Sequence, residues 1–215
     1  MPNLDELLED TPTHEFVSAW SEWRKTKFYP VHYSELIRLA ALYKFGGLYL
    51  DSDVVVLKPL ASYNNFVSME DQLGNGSFTG AAMAFKKSSP FIMECLKEYY
   101  ETYDDTLLRW NGAELLRRVG KQSSSGNNSS DRLLDISLQP SFMFFPIGRE
   151  NITRYFNAPA NETEKAEQDV IFKKILKESY MFHFWNSVTS TIVPDPGSLV
   201  LRILNHFCIR CLDVL

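Results

Sequence analysis

Two aspartates one residue apart, Asp51 and Asp53, stand inside an otherwise apolar run, "GLYLDSDVVVLKPL", at residues 47 to 60. Aspartate is depleted from strands and costly to bury as an ion, so this D-x-D needs something to compensate it. If residues 48 to 57 form one strand, side chains at i and i+2 share a face, and Tyr49, Asp51 and Asp53 point one way while Ser52 points the other. Two carboxylates so placed repel each other. A hard divalent cation with oxygen ligands removes that penalty. The alternative is a strand that ends at Leu50 and leaves both aspartates as solvated turn residues, and a three-letter match does not separate the two readings.

The helix before the run carries the next chemistry. In "HYSELIRLAALYKFGG", Leu36, Leu39, Ala40 and Tyr43 recur at i, i+3, i+4 and i+7, Ser34 is placed to cap the N-terminus, and Gly46 suits the left-handed residue that ends a helix. Glu35 and Arg38 lie off that stripe at i, i+3, and the two glycines turn the chain so that the strand returns beside the helix. One acceptor and one fork of donors then face the carboxylates, groups able to hold sugar hydroxyls. An ordinary ion pair on the helix surface explains the same spacing equally well.

The remaining pattern alternates helices and strands, which defines an α/β class. Residues 5 to 25 have a helical period, with Phe16, Val17, Trp20 and Trp23 on one face. "NFVSMED" and "FTGAAMAFKK" read as strands, "PFIMECLKEYYETY" as a helix with Pro90 in its first turn, and "NGAELLRRVG" as a short helix. "KQSSSGNNSSD", about residues 121 to 131, reads as a mobile loop because it is poor in apolar residues. "LDISLQPSFMFFPI" reads as extended, "EKAEQDVIFKKILKES" as an amphipathic helix, "YMFHFWN" as a strand and "GSLVLRILNHFCIRCLDVL" as a terminal helix.

A chain of 215 residues is long enough for a single domain with a sizeable core. Its net charge of -5, with no extended basic cluster, argues against nucleic acid as a partner. Its apolar runs fall short of the ~20 residues that span a bilayer, and the acidic N-terminus is unlike a signal peptide. Asn75, Asn127, Asn128, Asn151 and Asn161 each open an N-x-[ST] triplet, which tilts the compartment toward a secretory lumen. Cys208 and Cys211 form C-x-x-C without a thioredoxin-like context, so with Cys95 they read as buried thiols or one local disulfide.

The long pattern in "HYSELIRLAALYKFGGLYLDSDVVVLKPL", S-[DE]-x-x-R followed by L-x-x-x-G-G-x-Y-x-D-x-D and V-x-x-L-K, resembles the DXD sugar-binding region of glycosyltransferase family 32. Within that family it looks like the alpha-1,4-glycosyltransferase branch of lactosylceramide 4-alpha-galactosyltransferase-like proteins, and most like its plant members. "FTGAAMAFKKSSPF", "FFPI" and "HFWNSV" extend the likeness over nearly the whole chain. The resemblance implies one glycosyltransferase domain over residues 1–215, with a DXD region at about 30–86 and an alpha-1,4 region at about 90–215. It implies a GT-A-type nucleotide-sugar transferase fold with a central mixed sheet, here lacking the first strands of the nucleotide-binding half, as in an N-terminally truncated member.

The implied chemistry is metal-assisted transfer of a hexose, galactose-like, from a UDP-sugar to a glycan or glycolipid acceptor, with retention of configuration. Mn²⁺ or Mg²⁺ would sit on Asp53 and Asp51, with His183 closing the metal or diphosphate side. Asp51 would also meet the ribose or sugar. Glu35 and Arg38 would hold the donor sugar, Tyr49 would line the site, and Trp185 and Asn186 would contact the donor or simply pack. Between flanking phenylalanines, His183 also reads as a half-buried strand histidine. Thr79 and Gly80 fall where such folds place a small loop near the acceptor, although a tight strand turn explains them too. Asn111-Gly112 departs from the expected Gly-Pro, and Glu70, Asp71 and Asp169 are candidates for an assisting carboxylate. The implied compartment is the Golgi lumen, with membrane attachment only through an anchor absent from this chain. The alternative is a truncated, non-catalytic remnant acting as a carbohydrate-binding or partner module.

Overall fold

The computed structural model describes residues 3–62, 64–70, 78–125 and 136–206. The chain divides into two compact units, Met1–Asp51 with Ala61–Gln139, and Ser52–Leu60 with Pro140–Leu215. The first unit holds a mixed four-stranded sheet, as expected for a GT-A-like α/β class. β1 (Gly47–Leu50) and β3 (Phe66–Met69) run antiparallel to β4 (Phe78–Phe85), and β5 (Ser137–Gln139) runs parallel to β3. In the second unit β2 (Val54–Val56) pairs antiparallel with β6 (Met181–His183).

The expected continuous strand over residues 48 to 57 is therefore two strands in different sheets. Asp51 donates its N–H to Ala81 O at 2.9 Å as the last bond to β4, the chain bends at Ser52, and Val54 opposite His183 begins the second ladder. The alternation argument that put Asp51 and Asp53 on one strand face fails at this bend.

The amino-terminal helix is also broken. Only α1 (Leu4–Leu8) and α2 (Trp20–Trp23) are α-helical, with a 3-10 turn at Pro12–Val17 between them. Asp10 at φ 62° and the missing N–H of Pro12 stop α1. Conversely, α3 starts earlier than its spacing suggests and runs Tyr29–Phe45, with Pro30 in the first turn. Ser34 is thus inside the helix rather than its cap, and its hydroxyl donates to Val31 O at 2.8 Å. His32, Leu36, Leu39, Ala40 and Leu42 are buried. Gly46, at φ 68° and ψ −169°, adopts a backbone conformation essentially restricted to glycine, and so turns α3 into β1.

The first unit's core packs α4 (Pro90–Thr102) against both α3 and α5 (Ala113–Ser125), and α3 and α5 against β4. Phe85 of β4 stacks on Phe91 of α4 with ring centroids 5.4 Å apart, and buried Tyr99 donates to His32 O at 2.8 Å, tying α4 to α3. Cys95 is a buried free thiol in this core, while Cys208 and Cys211 lie outside the described residues. The polar stretch expected as a loop opens as the end of α5 through Ser125, and its residues 126–131 are not among those described.

Of the stretch expected to be extended, only β5 is a strand; the second unit resumes at Pro140, which caps the short helix α6 (Ser141–Phe144). α7 (Glu162–Glu178) is capped by Asn161, whose Oδ1 accepts from Glu164 N at 2.9 Å. α8 (Asn186–Thr189) and α9 (Leu199–His206) complete it. Among the described residues no helix is long and apolar enough to cross a membrane.

Candidate active site

Each aspartate of the D-x-D has its own protein partners. In the first unit, Asp51 Oδ1 lies 3.2 Å from Arg38 Nη2 and accepts from Tyr49 Oη at 2.9 Å. The Arg38 guanidinium lies 4.7 Å from the Tyr49 ring centre, and its Nε donates to Ser34 O at 3.4 Å. The Arg38 and Asp51 side chains keep 13% and 26% of their exposure, so the pair is only partly screened by water. α3 supplies the arginine, β1 the tyrosine, and the Gly46–Gly47 turn folds one onto the other. The expected grouping of Arg38, Tyr49 and Asp51 is present.

Glu35, one turn before Arg38 on α3, is the least satisfied of these groups. Its Oε2 is closed to solvent and has no hydrogen-bond partner among the described residues. Burial pushes its carboxyl up to about 7, with Asp51 adding to the shift and Arg38 and Arg109 opposing it. A carboxyl raised from 4.5 in the unfolded chain stabilises the fold while protonated, and that contribution is lost as pH rises through about 7. Urea unfolding from pH 4 to 8 should therefore show Glu35→Gln gaining on the parent protein across that window. The gain expected at pH 8 is on the order of 2 kcal/mol, within the ~1.4 kcal/mol per pK unit that linkage allows. Parallel curves would contradict the assignment.

In the second unit, Asp53 is held from two sides. His183 Nε2 is 3.4 Å from Asp53 Oδ1, and the Asn186 N–H donates to Asp53 Oδ2 at 2.8 Å. The Phe184 N–H donates to Asp53 O at 2.9 Å, so the β2–β6 ladder carries the aspartate to this place. Trp185 turns the chain there in a left-handed conformation, φ 57° and ψ 54°, uncommon for a bulky residue and characteristic of functional turns. Its indole Nε1 donates to Ile147 O at 2.9 Å and its ring packs on Phe145 and His183, so it acts here as a buried packing residue. Asn186 contributes its backbone N–H to Asp53 and keeps an exposed position.

Asp53 and His183 of the second unit, and Asp51 two residues before Asp53 in the chain, are residue types that hold metal ions. The aspartates fit a hard divalent ion directly, since one residue separates them and their Cα atoms lie at most ~7 Å apart along the chain. His183 fits after a change. Its Nδ1 accepts the Trp185 N–H at 3.0 Å, so the neutral ring carries its proton on Nε2, toward Asp53, and ligation through Nε2 would need the other tautomer, with the proton on Nδ1 and the Trp185 bond given up.

Other expected residues are placed differently. Thr79 and Gly80 lie within β4 rather than in a loop, beside the register shift between Val67 and Ser68. Asn111 is buried, and its amide accepts from Asp104 N at 3.0 Å and donates to Asp104 O at 2.6 Å, a structural clasp. Glu70 pairs with Arg109, Asp169 pairs with Arg202 at 2.8 Å, and Asp71 is outside the described residues. Sequence reasoning missed Arg109, which sits in no motif, and, although it named Trp185, it missed the left-handed turn there, because residue type gives no sign of that backbone conformation.

Comparison with known proteins identifies the family. Residues 1–77 match the glycosyltransferase sugar-binding region containing the DXD motif. Residues 84–215 match the alpha 1,4-glycosyltransferase conserved region, and the chain belongs to that family. It is 60% identical over 215 residues to an uncharacterized protein of Arabidopsis thaliana, covering 100% of this chain and 33% of that one. The mouse lactosylceramide 4-alpha-galactosyltransferase is 30% identical over 189 residues, 86% of this chain and 48% of its own. Human alpha-1,4-N-acetylglucosaminyltransferase is 24% identical over 215 residues, 97% of this chain and 58% of its own. The chain thus spans between about a third and three fifths of the length of these relatives. No solved structure matches it.

Proposed function

We propose that this chain belongs to a retaining, metal-assisted transferase that moves a hexose from a UDP-sugar to a glycan or glycolipid acceptor in the Golgi lumen. The observation that carries the reading is the Arg38–Asp51–Tyr49 cluster with the unsatisfied Glu35 carboxylate one helical turn away. Buried polar atoms without partners are rare in folded proteins, and one beside a donor fork matches a hydroxyl-rich ligand. Arg38 donates to sugar oxygens, Glu35 accepts from sugar hydroxyls, and Tyr49 keeps Asp51 and Arg38 in place. Asp51 and Asp53 hold Mn²⁺ or Mg²⁺, with His183 beside Asp53, and the Asn186 N–H orients the Asp53 carboxylate. Bound there, the ion supplies Lewis-acid stabilisation for the charge that grows on the leaving diphosphate. With so stable a leaving group no strong general acid is required. The exposed positions of Asn151 and Asn161 suit glycosylation in that lumen.

The relatives named for lactosylceramide and N-acetylglucosamine make two glycan classes the first to test. Incubation with UDP-hexoses, Mn²⁺ and lactose-terminated glycolipid should release UDP and give an α-linked product by NMR. A β-linked product would contradict the retaining reading. A folded protein that consumes no donor with any acceptor would favour the non-catalytic alternative.

A further inference from the structure

Two glycines of the first unit have no conformational reason to be glycine. Gly80 and Gly112 are not among the residues with positive φ, unlike Gly46, Gly47 and Gly197. Gly80 is the third residue of β4, inside a strand, where glycine is weakening and marks a bulge or the close approach of another group. A Cβ built on Gly80 would overlap the Arg38 guanidinium, with Arg38 Cδ at 3.1 Å and Cζ at 3.3 Å. A Cβ on Gly112 would fall inside the Glu35 carboxylate, with Oε2 at 2.9 Å. Neither glycine can readily retreat. Gly80 falls in the register shift of the β3–β4 ladder but is held on either side, by Thr79 opposite Ser68 and by Ala81, whose carbonyl accepts the Asp51 N–H, and the residue before Gly112, buried Asn111, is clasped to Asp104 through both ends of its amide.

We infer that Gly80 and Gly112 are seats for Arg38 and Glu35, positioning residues whose missing side chains set where the sugar-holding groups of α3 come to rest. Three elements distant in sequence, α3, β4 and the turn before α5, are thereby fitted to one pair of side chains. The steric part rests on the contacts alone, and the sugar-holding part rests on the function proposed above. A methyl group at either glycine displaces the tip of a flexible side chain rather than backbone, so its main effect falls on ligand binding and not on folding.

The test uses calorimetry with UDP and with UDP-sugar in the presence of Mn²⁺, on the longest form of the protein that expresses. Gly112→Ala should weaken UDP-sugar binding tenfold or more while UDP binding stays within about twofold. Glu35→Asp, shorter by one methylene, should recover at least threefold of that loss when added to Gly112→Ala. NMR titration of ¹³C-labelled glutamate gives a readout that needs no sugar. In Gly112→Ala the Glu35 midpoint should fall toward that of an exposed glutamate, released from the burial imposed by its seat and from the charges of Arg38, Arg109 and Asp51. An unchanged midpoint in a folded variant overturns the seat. A lowered midpoint with unchanged preference for UDP-sugar over UDP upholds the seat and removes Glu35 from sugar binding. If Gly112→Ala alone fails to fold, Glu35→Asp should restore folding, and failure of the double variant to do so counts against the seat.

Discussion

Replacing Asp53 with alanine is expected to lower transfer from a UDP-sugar by on the order of 10³ to 10⁴. That is the several kcal/mol a cation contributes to a developing diphosphate, at ~1.4 kcal/mol per decade. Asp53 is singled out because the protein invests three contacts in it: the β2–β6 ladder bond to Phe184, the Asn186 N–H and the His183 ring. Alanine also removes the acceptor for the Asn186 N–H, at a cost of about 1 to 2 kcal/mol in stability. Asp53→Asn is the sharper variant, since it keeps an acceptor for that N–H and loses only the charge. Steady-state kinetics should give nearly the same loss for both variants, with the asparagine form unfolding close to the parent temperature. Transfer within tenfold of the parent by Asp53→Asn would remove the cation from this place.

The second large effect is expected at Arg38. Its guanidinium meets Asp51 and packs on the Tyr49 ring, and alanine leaves a partly buried Asp51 without its cation. A loss of about 10² to 10³ in kcat/KM is expected, below what a fully buried pair would give because Asp51 keeps some contact with water. Arg38→Lys restores the charge but not the planar fork or the stacking, so it should recover about tenfold at most. Full recovery by lysine would show that only charge matters there and would argue against directional hydrogen bonds to sugar oxygens.

The structure also answers why an apolar run carries two aspartates. The sequence left open a metal-bridged strand and a solvated turn, and the chain at this point is a bend whose carboxylates are only partly solvated. Asp51 and Asp53 are each compensated by the protein itself, one by Arg38 and Tyr49, the other by His183 and the Asn186 N–H. Their repulsion alone therefore does not require an ion. The case for a cation rests on the donor set and the family motif.

What could be read from the sequence depended on range. Leu36, Leu39 and Ala40 are neighbours in sequence and on one helical face, so periodicity finds α3 and places Glu35 and Arg38 beside its buried stripe. Tyr49 beside Asp51 follows from strand alternation over the short stretch where it holds. The bend at Ser52 was hidden because Val54–Val56 are as strand-forming as the residues before it, and only the choice of partner, β6 rather than β4, breaks the strand. Gly80 and Gly112 carried a signal that composition cannot interpret. A glycine in a strand marks a close approach, but which side chain approaches is decided by tertiary packing.

The central claim is that Asp51 and Asp53 hold a divalent cation for a nucleotide-sugar donor. Its most direct test is calorimetric titration of UDP into the protein with and without Mn²⁺, set beside an Asp51→Ala, Asp53→Ala double variant. Saturable binding that requires both the ion and the two carboxylates is the expected result. UDP binding of equal strength without Mn²⁺, or undiminished in the folded double variant, would contradict it.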